Sequence, residues 1–251
     1  MIAFDDVLVH VGEESAVTAR LALRLTIRPR LKLSGVPIHF SVEGEEIGEV
    51  NTGPDGFATM TYTPRQERNY RVCASYRPPG IPRPVAAVAT IFSRGTRRDA
   101  IILDVDRTLF ASSTFGALFR RSRNIPPLHG AVEVTTALSQ KYDLIIITGR
   151  KSYLRGKTRR WLREKGFPPA PMFFAPPFRP FLSHERFKFE LIKKLRGAWK
   201  NITVGIGDRD SDARAYLANG LKAIILREGC ACPRGAISVP DWQTIRKVLL
   251  L

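Results

Sequence analysis

Cysteine is scarce in this sequence. Cys73, Cys230 and Cys232 are the only three in 251 residues, too few for a fold held by disulfides. Cys230-Ala231-Cys232 lacks a second ligand pair at zinc spacing, so it reads as plain buried or loop thiols and not as a metal site or redox switch. Long apolar runs are missing too. No stretch approaches the roughly 20 residues that a membrane-spanning helix needs. The first ten residues mix acids with apolar side chains, without the basic start and apolar core of a secretory signal. A reducing, cytoplasmic setting is the expectation. With 44% hydrophobic and 25% charged residues, the chain has the balance of a globular protein and can bury one large core or two modest ones.

Acidic residues are in deficit. Forty Lys and Arg face 23 Asp and Glu, a formal net charge of +17. The excess is uneven. Residues 1–98 carry 13 basic and 10 acidic side chains; residues 99–251 carry 27 and 13, a net of +14. Such a field attracts anions, whether nucleic acid, anionic lipid surfaces or phosphorylated substrates, without choosing among them.

Two textures divide the chain. Residues 1–93 read as a small all-β sandwich. Thr18–Arg28, Val36–Val42, Phe57–Thr63, Tyr70–Tyr76 and Val85–Phe92 are rich in β-branched and aromatic residues, and several alternate apolar with polar. Turn residues such as Asn51-Thr52-Gly53-Pro54-Asp55-Gly56 punctuate them. Gly35 to Val42 followed by Asp55-Gly56-Phe57-Ala58 resembles bacterial immunoglobulin-like and transthyretin-like modules. His10 and His39 sit alone in strand-like segments and read as structural. No catalytic constellation occurs here, and a binding or scaffolding role is the default, with a partner the sequence does not name. Ser93 to Arg98 is short, polar and basic, and residues 94–98 are assigned as a linker.

From Asp99 to Leu251 apolar runs alternate with helical patterns, which predicts βαβ units around a parallel sheet. The predicted strands are Ala100–Asp104, Asp143–Thr148, Met172–Ala175, Ile202–Ile206 and Lys222–Leu226. The predicted helices are Ala131–Lys141, Tyr153–Lys165, His184–Arg196, Ser211–Ala218 and Trp242–Leu250. Gly166, Gly197 and Gly220 follow three of them, where a left-handed cap is expected.

Three strands end in polar groups. The first ends in Asp104-Val105-Asp106-Arg107-Thr108, the second in Thr148-Gly149-Arg150. A later one runs Gly207-Asp208-Arg209-Asp210-Ser211-Asp212. In a doubly wound sheet, ligands bind outside the carboxyl ends of the strands. Carboxylates gathered there repel unless a cation sits among them, and hard oxygen ligands favour Mg²⁺ over zinc. If the backbone stays extended, Asp104 and Asp106 approach one substrate from the same side, one to attack and one to move a proton.

In order and position these elements resemble the haloacid dehalogenase superfamily of phosphohydrolases over residues 99 to about 228. Its Asp-x-Asp-x-Thr motif matches Asp104, Asp106 and Thr108. Its strand-closing Ser or Thr matches Thr148. Its helix-starting Lys matches Lys188 better than Lys193 or Lys194. Its Gly-Asp with a further acid matches Gly207, Asp208 and Asp212. The resemblance implies that Asp104 forms an aspartyl phosphate, Asp106 protonates the leaving oxygen and then activates water, Thr148 holds the phosphoryl group, and Lys188 neutralises charge. It also implies Mg²⁺ on Asp104, the Asp106 carbonyl and Asp208, with Asp212 a water-mediated ligand or a partner of Lys188. Asp210 competes with Asp212 for that place. Thr108, Gly149 and Arg150 join the expected substrate contacts. Arg107 stands where the family often has glycine and reads equally as structural or as a contact to an anionic substrate.

The gaps from Thr108 to the second strand and from Thr148 to Lys188 are too short for a large cap domain, so an open site and a bulky substrate are expected. Arg150-Lys151, Arg155, Lys157, Arg159-Arg160, Arg163 and Lys165 form a basic cluster, with Tyr153, Leu154, Trp161 and Leu162 facing inward. Leu109-Phe110, Phe115 and Leu118-Phe119 precede Arg120-Arg121 and Arg123, a pairing of apolar and basic groups that suits a lipid interface. Phe173 to Leu182 reads as a rim loop or as core. Pro127 to Ala131, Tyr142 to Arg150, Trp161-Leu162 with Gly166-Phe167-Pro168, and Asp208 to Tyr216 are similar to phosphatidate phosphatases of the lipin and actin-patch kinds. That likeness implies a lipid phosphate substrate at an anionic membrane surface, met by a cytoplasmic or peripheral membrane protein. Related lipid-transfer proteins keep the domain as a phosphatidate sensor without catalysis, which makes a non-catalytic membrane-binding module the alternative. A polynucleotide or protein phosphatase ranks third, since no aromatic-interleaved single-strand platform accompanies the charge.

Overall fold

The computed structural model describes residues 2–23, 31–111, 125–176, 184–229 and 232–250. The chain divides into two compact units, Met1–Gly95 and Thr96–Leu251. The fold class is the one expected: a parallel α/β sheet flanked by helices, preceded by an all-β unit.

The first unit holds β1 (Ile2–Phe4), β2 (Val7–His10), β3 (Ser15–Leu23), β4 (Leu31–Lys32), β5 (Pro37–Val42), β6 (Glu45–Asn51), β7 (Phe57–Tyr62), β8 (Asn69–Tyr76) and β9 (Val85–Arg94). One sheet has the order β2-β9-β8-β5-β6; the other joins β1, β3 and β4, with β7 also on β3. Alternation decides which face each side chain takes. Ile38, Phe40 and Val42 are buried while Pro37 and His39 are exposed. The two sheets share one core, with Phe4 edge-on to Phe40 at 6.1 Å. The stretch expected as Thr18–Arg28 begins earlier, at Ser15, and its residues 24–28 lie outside the described residues. His39 on the outer face pairs with Glu49 at 3.1 Å and Glu46 at 3.7 Å, an exposed structural contact.

The second unit is built on a six-stranded parallel sheet of β10 (Ala100–Leu103), β11 (Asp143–Lys151), β12 (Met172–Ala175), β13 (Ile202–Gly207), β14 (Lys222–Leu226) and β15 (Ile237–Val239). Its order is β12-β11-β10-β13-β14-β15. All four residues of β10 are buried, as a central strand covered on both faces demands. Helices α1 (Ala131–Lys141), α2 (Arg155–Glu164) and α5 (Trp242–Leu250) cover one face through Val134, Leu138, Trp161, Trp242 and Ile245. Helices α3 (His184–Ala198) and α4 (Asp210–Ala218) lie on the other. There Gly205 is required, because a Cβ would lie 2.3 Å from the Tyr216 ring. No described residue forms a cap domain, and no helix among the described residues is long and apolar enough to cross a membrane.

Gly166 and Gly220 take the expected left-handed conformation, at φ 83° and 70°. Gly197 does not. It lies inside α3, which continues because the buried Trp199 donates its N–H to Leu195 and draws the last turn into the helix.

Candidate active site

Parallel strands deliver their carboxyl ends to one edge of the sheet, and the polar clusters follow. Beyond β10 the Asp104 N–H still bonds to the Ile206 carbonyl at 2.9 Å. The chain then wraps around the Val105 carbonyl, which accepts the N–H groups of Leu109 and Phe110 at 2.9 and 3.0 Å. This wrap places Arg107 in the left-handed region, at φ 56°. Glycine is unstrained there, whereas another residue costs about 1–2 kcal/mol. The backbone therefore accounts for the glycine usual at this place in the family motif.

Lys188 on α3 is buried and bridges two acids. Its Nζ donates to Asp104 Oδ1 and to Asp212 Oδ1, each at 2.6 Å. Burial opposes the charge on this amine, but Asp104 and Asp212 outweigh it and hold the ammonium above the ordinary lysine range. Burial pushes the Asp104 carboxyl up to about 7; Lys188 pulls against it, while Asp212 and Asp106 add to the rise. Asp208 is pushed up to about 6, first by burial and then by Asp212. The common cause is a crowd of carboxylates in a dry site with a single buried ammonium.

Asp212 is fully engaged. Its Oδ1 holds Lys188, and its Oδ2 accepts the N–H groups of Asp208 and Arg209 at 3.2 Å each. Such close approach needs glycine at 207, where a Cβ would lie 2.6 Å from Asp212 Oδ2. Asp210 instead turns outward to Arg227, at 2.6 Å, so of the two candidate acids Asp212 is the one in the site. One oxygen from each of Asp104, Asp208 and Asp212 falls within 4.8 Å of the others. Asp208 Oδ1 is buried without a hydrogen-bond partner. An all-oxygen set with one orphaned lone pair fits a hard cation.

Asp106 does not point at this group. Arg150 grips it in two-point fashion, Nε to Oδ2 at 2.9 Å and Nη2 to Oδ1 at 2.8 Å. The third arm, Nη1, donates to Thr158 Oγ1 at 3.1 Å, and the guanidinium stacks over the Phe110 ring at 4.0 Å. Arg150 is only 3% exposed. It was expected to contact substrate; its donors are spent on Asp106 and Thr158 instead. Thr148 is fully buried, and its hydroxyl accepts the Arg150 N–H at 3.2 Å. Thr108, another expected contact, is fully buried too, and its carbonyl accepts the Trp242 indole N–H at 2.8 Å.

The cleft is a slot of about 20 Å³ lined by Asp104, Asp106, Gly149, Lys188, Arg209, Ser211 and Asp212. A hollow of about 750 Å³ beside α3 and α4 is larger but contains none of the motif residues, and chemistry, not size, marks the site. Arg209, Ser211 and Thr158 are participants that the sequence reading did not single out. The signal for Arg209 was its place between Asp208 and Asp210.

Around the site, α2 buries Thr158, Trp161 and Leu162 and exposes Arg160 and Arg163. Tyr153, expected to pack inward, is 57% exposed. Leu109 and Phe110 are core residues, not membrane-facing ones: Phe110 stacks on Trp161 at 3.6 Å. Phe174 is buried, with Arg155 over its ring at 5.3 Å. Phe115, Leu118, Phe119, Arg120, Arg121, Arg123, residues 177–183 and Cys230 lie outside the described residues.

Residues 101–224 match the family model of the PITM 1-3 LNS2 domain. The matched stretch is just under half of the chain and contains Asp104, Thr148, Lys188, Asp208 and Asp212. No curated protein matches. Among solved structures, a HAD-superfamily hydrolase of subfamily IA from Geobacter sulfurreducens is 14% identical, covering 62% of this chain and 99% of that one, with a TM-score of 0.46. Fibronectin(III)-like modules of Clostridium thermocellum CbhA are 18% identical, covering 39% of this chain and 100% of theirs, at 0.29. Scores this low carry no argument by themselves. The LNS2 match spans the strand ends and helices that supply the carboxylates and Lys188.

Proposed function

We propose that the second unit is a Mg²⁺-dependent phosphomonoester hydrolase acting through Asp104 on phosphatidate or another lipid phosphate at an anionic membrane surface. The observation that carries the proposal is Lys188 bridging Asp104 and Asp212 beside the orphaned Asp208 Oδ1. The LNS2 match, the net charge of +14 in residues 99–251 and the exposed Tyr153 beside a basic helix support the lipid surface.

Lys188 holds one Asp104 oxygen and leaves the other to attack phosphorus. As the Asp104–phosphorus bond forms, the ester P–O bond breaks and the leaving oxygen takes a proton from Asp106. Water then attacks the aspartyl phosphate, gives its proton to Asp106 and releases inorganic phosphate, restoring Asp104. Asp104 and Asp208 would hold Mg²⁺, which supplies positive charge against the phosphoryl oxygens. Arg150 aims the Asp106 carboxyl by holding both of its oxygens. The same grip favours a second reading, a phosphate-binding module without turnover, because it occupies both oxygens of Asp106.

Phosphate release from phosphatidate vesicles, 3′-phosphorylated DNA, a phosphopeptide and an aryl phosphate, with Mg²⁺ or with EDTA, separates the readings. Release from phosphatidate vesicles, lost in EDTA, is expected. Selective vesicle binding with no release from any substrate establishes the module instead.

A thermal measurement tests the metal. Asp104 and Asp208 have folded-state values of about 7 and about 6, raised from 3.8. Between pH 4 and 7 the folded state thus holds protons that the unfolded chain has released, and these groups contribute less stability as pH rises. Mg²⁺ offsets that loss by binding the ionised form. At saturating Mg²⁺ the stabilisation is expected to be about 2–3 kcal/mol at pH 8 and much smaller at pH 5. Equal shifts in melting temperature at the two pH values would count against the site.

A further inference from the structure

Two guanidinium groups beside the nucleophile have no part in the chemistry above. Arg107 Nη1 lies 4.0 Å from Asp208 Oδ2, and Arg209 Nε lies 3.9 Å from the same oxygen. Both separations are ion-pair distances, too long for hydrogen bonds. Four other arginines of this unit behave differently. Arg150, Arg214, Arg227 and Arg246 each donate to a carboxylate at 2.6 to 3.0 Å. Arg107 and Arg209 make no such bond to a described residue, and their side chains are 62% and 46% exposed.

Each of the two sits where the backbone favours another residue. Arg107 occupies a left-handed position suited to glycine. Arg209 is the N-cap of α4, where Ser, Thr, Asp or Asn would accept a free helix N–H. A guanidinium has no acceptor to offer there. Two separate local misfits therefore bring two cations to one edge of one carboxylate, next to Asp104, without a hydrogen bond in return. Backbone strain like that at Arg107 gathers at functional positions. Neither arginine makes a hydrogen bond to Asp208, so both forks are open to an anion. Two planar forks suit the paired oxygens of a phosphate or carboxylate.

We propose that Arg107 and Arg209 form an anion grip, and that the substrate is a phosphomonoester carrying a second anionic group close to the one transferred. Catalysis on that substrate rests on the phosphatase reading above; the grip itself does not. A doubly phosphorylated lipid headgroup and a doubly phosphorylated nucleotide share this chemistry.

The test uses the full chain and the variants Arg107→Gly, Arg209→Ser and their combination, each a residue that the local backbone favours. With Mg²⁺, kcat/KM is compared for inositol 4,5-bisphosphate, adenosine 3′,5′-bisphosphate and the singly charged-group control glycerol 3-phosphate. Wild type is expected to prefer a bisphosphate by about tenfold or more, and the double variant to lose most of that preference. Whichever bisphosphate is preferred identifies the source. In parallel, calorimetry in EDTA compares binding of inorganic pyrophosphate with inorganic phosphate. Wild type is expected to favour pyrophosphate by about tenfold, and the double variant by less than about threefold. Turnover of nothing by wild type overturns the phosphatase reading, and the calorimetry then decides the grip. Undiminished discrimination in the double variant, or none in wild type, overturns the grip.

Discussion

Asp104→Asn is expected to lower Mg²⁺-dependent phosphate release by about 10⁴-fold or more, because the amide cannot form the acyl phosphate and no other carboxylate can take its place. Asp106 is held by Arg150 and Asp212 by Lys188 and two backbone amides. The fold is expected to survive. Asparagine keeps the shape of the side chain and removes one charge from a crowd of carboxylates in which burial already pushes Asp104 upward. Lys188 retains its bond to Asp212. The variant should therefore melt near the wild-type temperature and still bind anionic vesicles. Release that persists at more than about a hundredth of wild type, in a preparation free of contaminating phosphatase, would remove Asp104 from the nucleophile's role.

Arg150→Ala is expected to give the largest loss of stability of any single change at the site. It strands a buried carboxylate, and breaking a buried pair from one side costs about 3–5 kcal/mol. For a unit of this size the fall in melting temperature is on the order of 10 °C. Arg150→Lys keeps the charge but not the two-point grip, the bond to Thr158 or the stacking on Phe110, and is expected to fall between. Replacing both partners, Asp106→Leu with Arg150→Met, is expected to recover most of the stability, since no charge is then left unpaired. Activity separates from stability here. Freed of its clamp, Asp106 loses its aim, and hydrolysis of alkyl phosphates is expected to fall further than that of aryl phosphates, whose leaving groups need less protonation. An Arg150→Ala protein that melts within a degree or two of wild type would show that the clamp is not what fixes Asp106.

Much of the parallel sheet was legible because burial on both faces writes continuous apolar runs, as in Ile101 to Leu103 and Leu144 to Ile147. The strand Glu45–Asn51 was not. Three of its seven residues are glutamates and a fourth is glycine, so nothing alternates; it exists because it pairs with Pro37–Val42 at the sheet edge. Ile237–Val239 is three residues long, too short to show any period, and is set by its parallel partner Ile224–Leu226. In the site, Asp104, Lys188, Asp208 and Asp212 were readable from a motif whose order is itself the topology. The choice of Asp212 over Asp210 was open, because only helix α4 decides which of the two faces inward. The Arg150–Asp106 pair spans 44 residues and was hidden for a different reason: an arginine closing a phosphate-site strand reads as a substrate contact whichever way its side chain turns.

The indole of Trp242 on the last helix donates to the Thr108 carbonyl in the loop after β10, 134 residues earlier in sequence. The match to the LNS2 family model stops at residue 224, before β15 and α5. Similarity and self-sufficiency therefore have different borders here. A fragment cut where the resemblance ends would keep every motif carboxylate, yet it would lose the strap that closes the loop from behind and the two large apolar side chains, Trp242 and Ile245, that seal one face of the sheet. The last helix belongs to the working part as fully as the motifs do.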